Sequence, residues 1–256
     1  MRKIFFIFFA FLIVSHSFAQ TTVKDLKEEH QERKEALQKE DEEGVIDYKK
    51  EFAIGVKLIS DGYGFFVEEG RSKSIKRSWL FQFEFSERKD PKEMKQTFPD
   101  MPSTAFIFGK ENFFYPVKLG VQQQLLLGNK SNKNGVCITA NYGGGIEMGL
   151  LRPYFFKVID STGAYVYKTF DNADTSDILI AGPGFTTGWN ALSVIPGLYA
   201  KGAIRFDYGH GNQLLSAIEI GITADFYTKK VPIVATVPYK QFFVSAYAAI
   251  MFGGRK

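Results

Sequence analysis

The sequence predicts an all-β fold: an eight-stranded antiparallel transmembrane β-barrel preceded by a short N-terminal periplasmic helix. Three observations carry that expectation. From Glu51 onward, apolar residues alternate with small or polar ones, the period-two signature of strands with two unlike faces. Several alternating segments extend for about 11–16 residues; ordinary strands have about 5–6 and a tilted membrane strand needs roughly 9–11. The connections also alternate in length, as in outer-membrane barrels, which have short turns at one end and longer loops at the other.

The chain divides into a signal peptide at 1–19, a charged periplasmic helical leader at 20–47, and the barrel at 48–256. Arg2 and Lys3 precede an apolar run from Ile4 to Val14, and Ser17-Phe18-Ala19 places small residues at −3 and −1 of a cut before Gln20. That run is too short to stay as a membrane-spanning helix and fits a cleaved export signal. The leader segment Lys24–Glu43 consists almost wholly of helix formers without Pro or Gly. Its apolar residues are too few for a core-facing stripe, so it reads as an exposed helix or one that forms against a protein partner. Val23–Gly44 holds 5 basic and 9 acidic residues, a local −4. The rest of the mature chain carries 25 basic and 19 acidic residues, +6. That modest excess is no argument for nucleic acid. The single cysteine, Cys137, excludes an internal disulfide and lies far from the cleavage site. It reads as a small buried apolar residue.

The strands follow in order. Phe52, Ile54, Val56 and Leu58 alternate with Ala53, Gly55 and Lys57, and Asp61-Gly62 signals a tight hairpin into Tyr63, Phe65 and Val67. Trp79, Phe81, Phe83 and Phe85 define the third strand, and Tyr115, Val117, Leu119 and Val121 the fourth. The fifth runs from Val136 to Met148, the sixth from Leu198 to Asp207, the seventh from Leu214 to Phe226 and the eighth from Phe242 to Phe252. Alternation alone also fits a β-sandwich or a lipocalin-type barrel with an apolar interior. The opposite face argues for a polar lumen instead, because it carries Lys57, Glu68, Glu84, Lys118, Glu147, Lys201, Arg205, Glu219 and Asp225. In a barrel this narrow those charges are expected to pair and fill the interior; a narrow conduit is the alternative. With the N-terminus periplasmic, the short turns are 71–76, 128–135 and 209–212, the long outer connections are 87–112 and 152–193, 229–240 is intermediate, and the tight first hairpin is the exception.

Particular residues also resemble a known group. The Phe-Ala-Gln end of the leader, Ser60-Asp61-Gly62, Lys89-Asp90-Pro91-Lys92-Glu93, Leu127-Gly128-Asn129-Lys130 and the ending Phe242-Phe243-Val244-Ser245-Ala246-Tyr247 resemble uncharacterised outer-membrane β-barrel proteins of Bacteroidota, including PorT-like proteins. The resemblance implies an outer-membrane barrel and, for PorT-like members, a link with protein secretion. It supplies no catalytic motif.

Enzymatic outer-membrane barrels are expected to place a histidine near the outer rim. Here His16 falls in the signal peptide, His30 in the leader and His210 in a periplasmic turn, none placed to activate a nucleophile there. No cofactor is expected. Asp171, Asp174 and Asp177 form a weak metal candidate without the spacing or glycine of a hand-type calcium loop. Trp189 and Tyr199 are candidate rim anchors at the lipid interface. The expected role is a non-enzymatic structural or interaction component of the envelope, with a small pore or a secretion-machine subunit as alternatives. Lipid is the expected surrounding, and a protein partner would use Lys24–Glu43 or the outer loops.

Overall fold

The computed structural model describes residues 49–74, 76–97, 105–130, 135–173, 177–209 and 213–256. The signal segment, the leader with Lys24–Glu43, and all three histidines lie outside the described residues.

Among the described residues, eight antiparallel strands close into a barrel. They are β1 (Lys50–Ile59), β2 (Gly62–Ser74), β3 (Arg77–Arg88), β6 (Asn112–Gly128), β7 (Cys137–Pro153), β11 (Ser193–Asp207), β12 (Leu214–Val231) and β13 (Lys240–Arg255). Each pairs with its neighbour in sequence order, and β13 returns to β1 with Glu51 opposite Arg255 and Leu58 opposite Ala248. Closure leaves no strand edge unpaired, the only sheet arrangement tolerated in hydrocarbon.

The faces are inverted relative to a protein with an oily core. On β1 the side chains of Glu51, Ala53 and Lys57 are buried inside while Phe52, Ile54, Val56 and Leu58 face out. Lys57 is 1% exposed and Leu58 is 70% exposed. Burying a lysine while exposing a leucine is costly in water, so the surface asks for an apolar solvent. On β13 the outward run begins at Phe242 and ends at Phe252. The ten steps between them at about 3.4 Å each, tilted by about 40°, make a band roughly 26 Å tall.

Several strands outrun the sequence expectation. β2 continues to Ser74 instead of turning at Arg71, because its outward residues there become Glu69, Arg71 and Lys73. β12 continues through Thr228 and the two lysines after it to Val231. These extensions project past the apolar band, where a polar outward face costs nothing and the alternation signal fades.

At the end of the barrel away from the termini the long connections expected at 87–112 and 152–193 carry strands of their own. A short hairpin pairs β4 (Lys95–Gln96) with β5 (Phe106–Ile107), and a three-stranded sheet orders β10 (Ile178–Ala181), β8 (Phe156–Ile159) and β9 (Tyr165–Lys168). Ile107, Tyr154, Phe156 and Val158 give this platform its own apolar core, and the Tyr154 hydroxyl accepts from the Ile107 amide at 2.9 Å. Two single 3-10 turns, Phe170–Asn172 and Trp189–Ala191, complete it.

Candidate functional site

The lumen concentrates the titratable groups. All nine residues expected there, Lys57, Glu68, Glu84, Lys118, Glu147, Lys201, Arg205, Glu219 and Asp225, are buried and point inward. Four further inward charges, Glu51, Arg88, Asp207 and Arg255, are equally buried. Among the described residues seven carboxylates thus face six cations, near enough to balance for pairing to decide the arrangement.

The pairs form three layers. Nearest the termini, Arg255 binds Glu51 at 2.8 Å and Asp207 at 2.6 Å, and Arg205 binds Glu51 at 3.3 Å and both Glu68 and Glu219 at 2.8 Å. At mid-height Lys201 meets Glu219 at 3.0 Å and Lys57 meets Glu84 at 2.5 Å. Glu219 also accepts from the Tyr247 hydroxyl at 2.7 Å and from Asn141 at 2.8 Å. The Lys57 ammonium rests 4.0 Å from the Tyr247 ring centre. In the third layer Lys118 binds Asp225 at 2.6 Å, with Glu147 at 3.7 Å, while Arg88 pairs with Asp225 and, at 2.6 Å, with Asp61 in the β1–β2 turn. Glu147 lies beside the Tyr227 hydroxyl and meets its nearest cation only at that longer distance, making it the least well held carboxylate of the set.

The far mouth is closed by hydrocarbon. Phe114, Tyr227 and Phe243 pack with ring centres 5.3–5.9 Å apart, beside Leu151, Ile195, Val231, Ile233 and Val234. The β12–β13 connection lies across this cluster and is tied to the start of β6. The amides of Glu111 and Ala235 donate to Ile233 and Gly109 carbonyls at 2.9 and 2.8 Å, and Asn112 reaches the Pro232 carbonyl at 2.8 Å. Glycine makes the room: a Cβ on Gly149 would lie 2.6 Å from the Phe114 ring and 3.0 Å from that of Tyr227. At the termini end, a cavity of about 30 Å³ lined by Ser78, Gln124, Cys137, Thr139 and Arg255 remains, room for about two waters. Cys137 is buried as expected, but among polar neighbours rather than apolar ones.

A second cluster sits outside the barrel wall at the far rim. Arg152, 2% exposed, lies with its guanidinium 4.0 Å from the Phe113 ring centre and 5.0 Å from that of Trp189. It donates to the carbonyls of Phe185 and Thr187 at 2.6 and 3.2 Å. Trp189 stacks on Tyr115, which stacks on Phe85, which meets Phe65. Trp189 is therefore a rim residue, while Tyr199 is not: it points into the lumen, buried, over Gly120, whose Cβ would fall 2.1 Å from the Tyr199 hydroxyl. Among the described residues no three His, Cys, Asp or Glu side chains converge to hold a metal. Asp174 lies outside the described residues, and Asp177 is engaged by Lys168 at 2.8 Å.

No protein-family model matches the chain, and no curated protein matches it in sequence. Among solved structures it is similar to that of Neisserial surface protein A, with 9% identity, a TM-score of 0.38, 81% of this chain and 96% of that one covered. It is also similar to Ail, the attachment invasion locus protein of Yersinia pestis, with 8% identity, a TM-score of 0.38 and coverage of 82% and 98%.

Proposed function

We propose that this chain is an outer-membrane β-barrel, with both termini in the periplasm, that neither conducts nor catalyses. In this reading it acts as a structural or interaction component of the envelope through the folded platform at its far mouth. The observation that carries the reading is the double obstruction of the lumen inside an apolar exterior. Three layers of ion pairs fill the interior, and an apolar cap covers the far mouth. Buried pairs of this kind act as struts, because freeing either partner leaves an uncompensated charge. Above them the platform offers Tyr165, Tyr167, Ile178 and Phe185 to its surroundings, an amphipathic set typical of recognition surfaces.

Orientation and exposure are tested together by cysteine labelling. Thr162→Cys in the β8–β9 turn is expected to react with a membrane-impermeant maleimide on intact cells. Ser74→Cys at the opposite end is expected to react only after permeabilisation. The reverse pattern would sink the proposed orientation, and equal labelling of both would sink the membrane barrel itself.

A further inference from the structure

The barrel wall carries a row of like charges where its apolar band ends on the termini side. Lys50 and Lys256 exchange both backbone hydrogen bonds, at 2.8 and 2.9 Å, and Lys50 is also the register partner of Arg71. Three cations therefore stand side by side across β13, β1 and β2, all facing outward and exposed. Directly opposed side chains on one face are about 5 Å apart at Cβ, and like charges there repel. Lys73 and Arg77, both exposed, extend the patch onto β2 and β3. Among the described residues Glu69 interrupts it, 3.2 Å from Arg71, with both side chains more than half exposed, a pair of little weight. The register partner of Arg71 on β3 is Trp79, which is exposed. One row higher on the same face stand Phe52 and Phe81, with Glu69 between them turned toward Arg71.

We infer that this patch, Lys256–Lys50–Arg71 with Lys73, Arg77 and Trp79, holds the phosphate headgroup of an anionic phospholipid in the leaflet on the termini side. The inference rests on the reading of the barrel as membrane-spanning. A headgroup phosphate seated between opposed cations turns their mutual repulsion into shared attraction, and Arg71 supplies the planar fork that phosphate favours. Trp79 lies at the depth where indoles gather, between acyl chain and headgroup. Phe52 and Phe81 above it meet the acyl chains.

The test uses full-length protein in nanodiscs of phosphatidylcholine and phosphatidylglycerol in equal amounts, with native mass spectrometry counting the lipids retained on the released barrel. Wild type is expected to retain phosphatidylglycerol preferentially. The variant Lys50→Gln/Arg71→Gln/Lys73→Gln/Arg77→Gln is expected to lose that preference by about tenfold, while Lys50→Arg/Arg71→Lys keeps it. Equal retention of both lipids by wild type, or an undiminished preference in the Gln variant, overturns the site. Heat-modifiable gel migration of the same samples reports the barrel separately. A folded barrel without lipid preference refutes the site alone, whereas no heat-modifiable form refutes the membrane reading beneath it. If the Gln variant instead changes only proteolysis within 24–43, the acidic leader is the occupant and the lipid assignment is wrong.

Discussion

At the scale of single residues, Arg205 is the side chain on which the lumen most depends. It is 1% exposed and touches Glu51, Glu68 and Glu219 at once. Arg205→Met removes the shared cation and leaves three carboxylates crowded without it. The expected loss is about 3–5 kcal/mol, read as a lower denaturant midpoint of the lipid-reconstituted protein. Adding Glu219→Gln to that variant is expected to recover part of the loss, and strict additivity of the two changes would show that the pair does not interact. Gly120→Ala makes a second test, since its methyl would meet the Tyr199 hydroxyl at 2.1 Å and the Gly144 carbonyl at 2.7 Å. A loss of about 1–3 kcal/mol is expected, only partly relieved by Tyr199→Leu because the carbonyl stays. The inward placement of Lys57 or Glu219 was legible from parity alone. Glu51 and Arg255 keep the same parity as Ala53 and Met251, so that signal would have found them had the alternating runs been followed to their ends. Which cation meets which acid was not legible, because pairing across the lumen depends on strands far apart in sequence.

At the scale of elements, two contacts hold the far connections in place, and each can be cut. Arg152→Ala removes the guanidinium that binds the Phe185 and Thr187 carbonyls and underlies Trp189. In a Trp79→Phe background, where Trp189 is the remaining tryptophan, its emission is expected to shift to the red and protease to cut the 183–191 segment faster. An unchanged spectrum would mean the aromatic stack alone seats the segment. The β12–β13 connection is tied down by the Tyr239 hydroxyl, which donates to Glu111 at 2.6 Å. That hydrogen bond pushes the Tyr239 pKa up to about 12. Its folded value lies above the ordinary value of 10.0, so the contribution is complete below about pH 10 and is lost as pH rises through about 12. Ultraviolet titration against Tyr239→Phe checks this, and a wild-type tyrosine set titrating entirely near pH 10 would refute it. The long strands were legible because ten or more residues repeat one rule. The β8–β10 sheet was not, since four-residue strands between Gly and Pro turns give no periodicity to count.

For the whole molecule, the cap and the charged layers obstruct the lumen in series. Deleting residues 233–237 removes Ile233, Val234 and Val237 from the cap but leaves Phe114, Tyr227 and Phe243, and beneath them Lys118, Asp225, Lys57 and Glu84, in place. Planar bilayer recordings are therefore expected to stay silent for wild type and for the deletion alike. Stepwise conductance in the deletion alone would assign the seal to the β12–β13 connection, and steps in wild type would overturn the plugged barrel.

The closing seam has a consequence for the order in which the barrel is made. Arg255 binds Glu51 across it, although the two lie 204 residues apart in the chain, so nearly all of the barrel must be synthesised before β1 acquires its second neighbour. Until then β1 offers a bare row of amides to any strand it meets. Assembly is thus a race between the arrival of β13 and intermolecular pairing, and slow, long-range closure lengthens the exposure. The Glu51–Arg255 contact works as a latch that can engage only once the chain is nearly whole, which makes the last strand the step on which biogenesis waits.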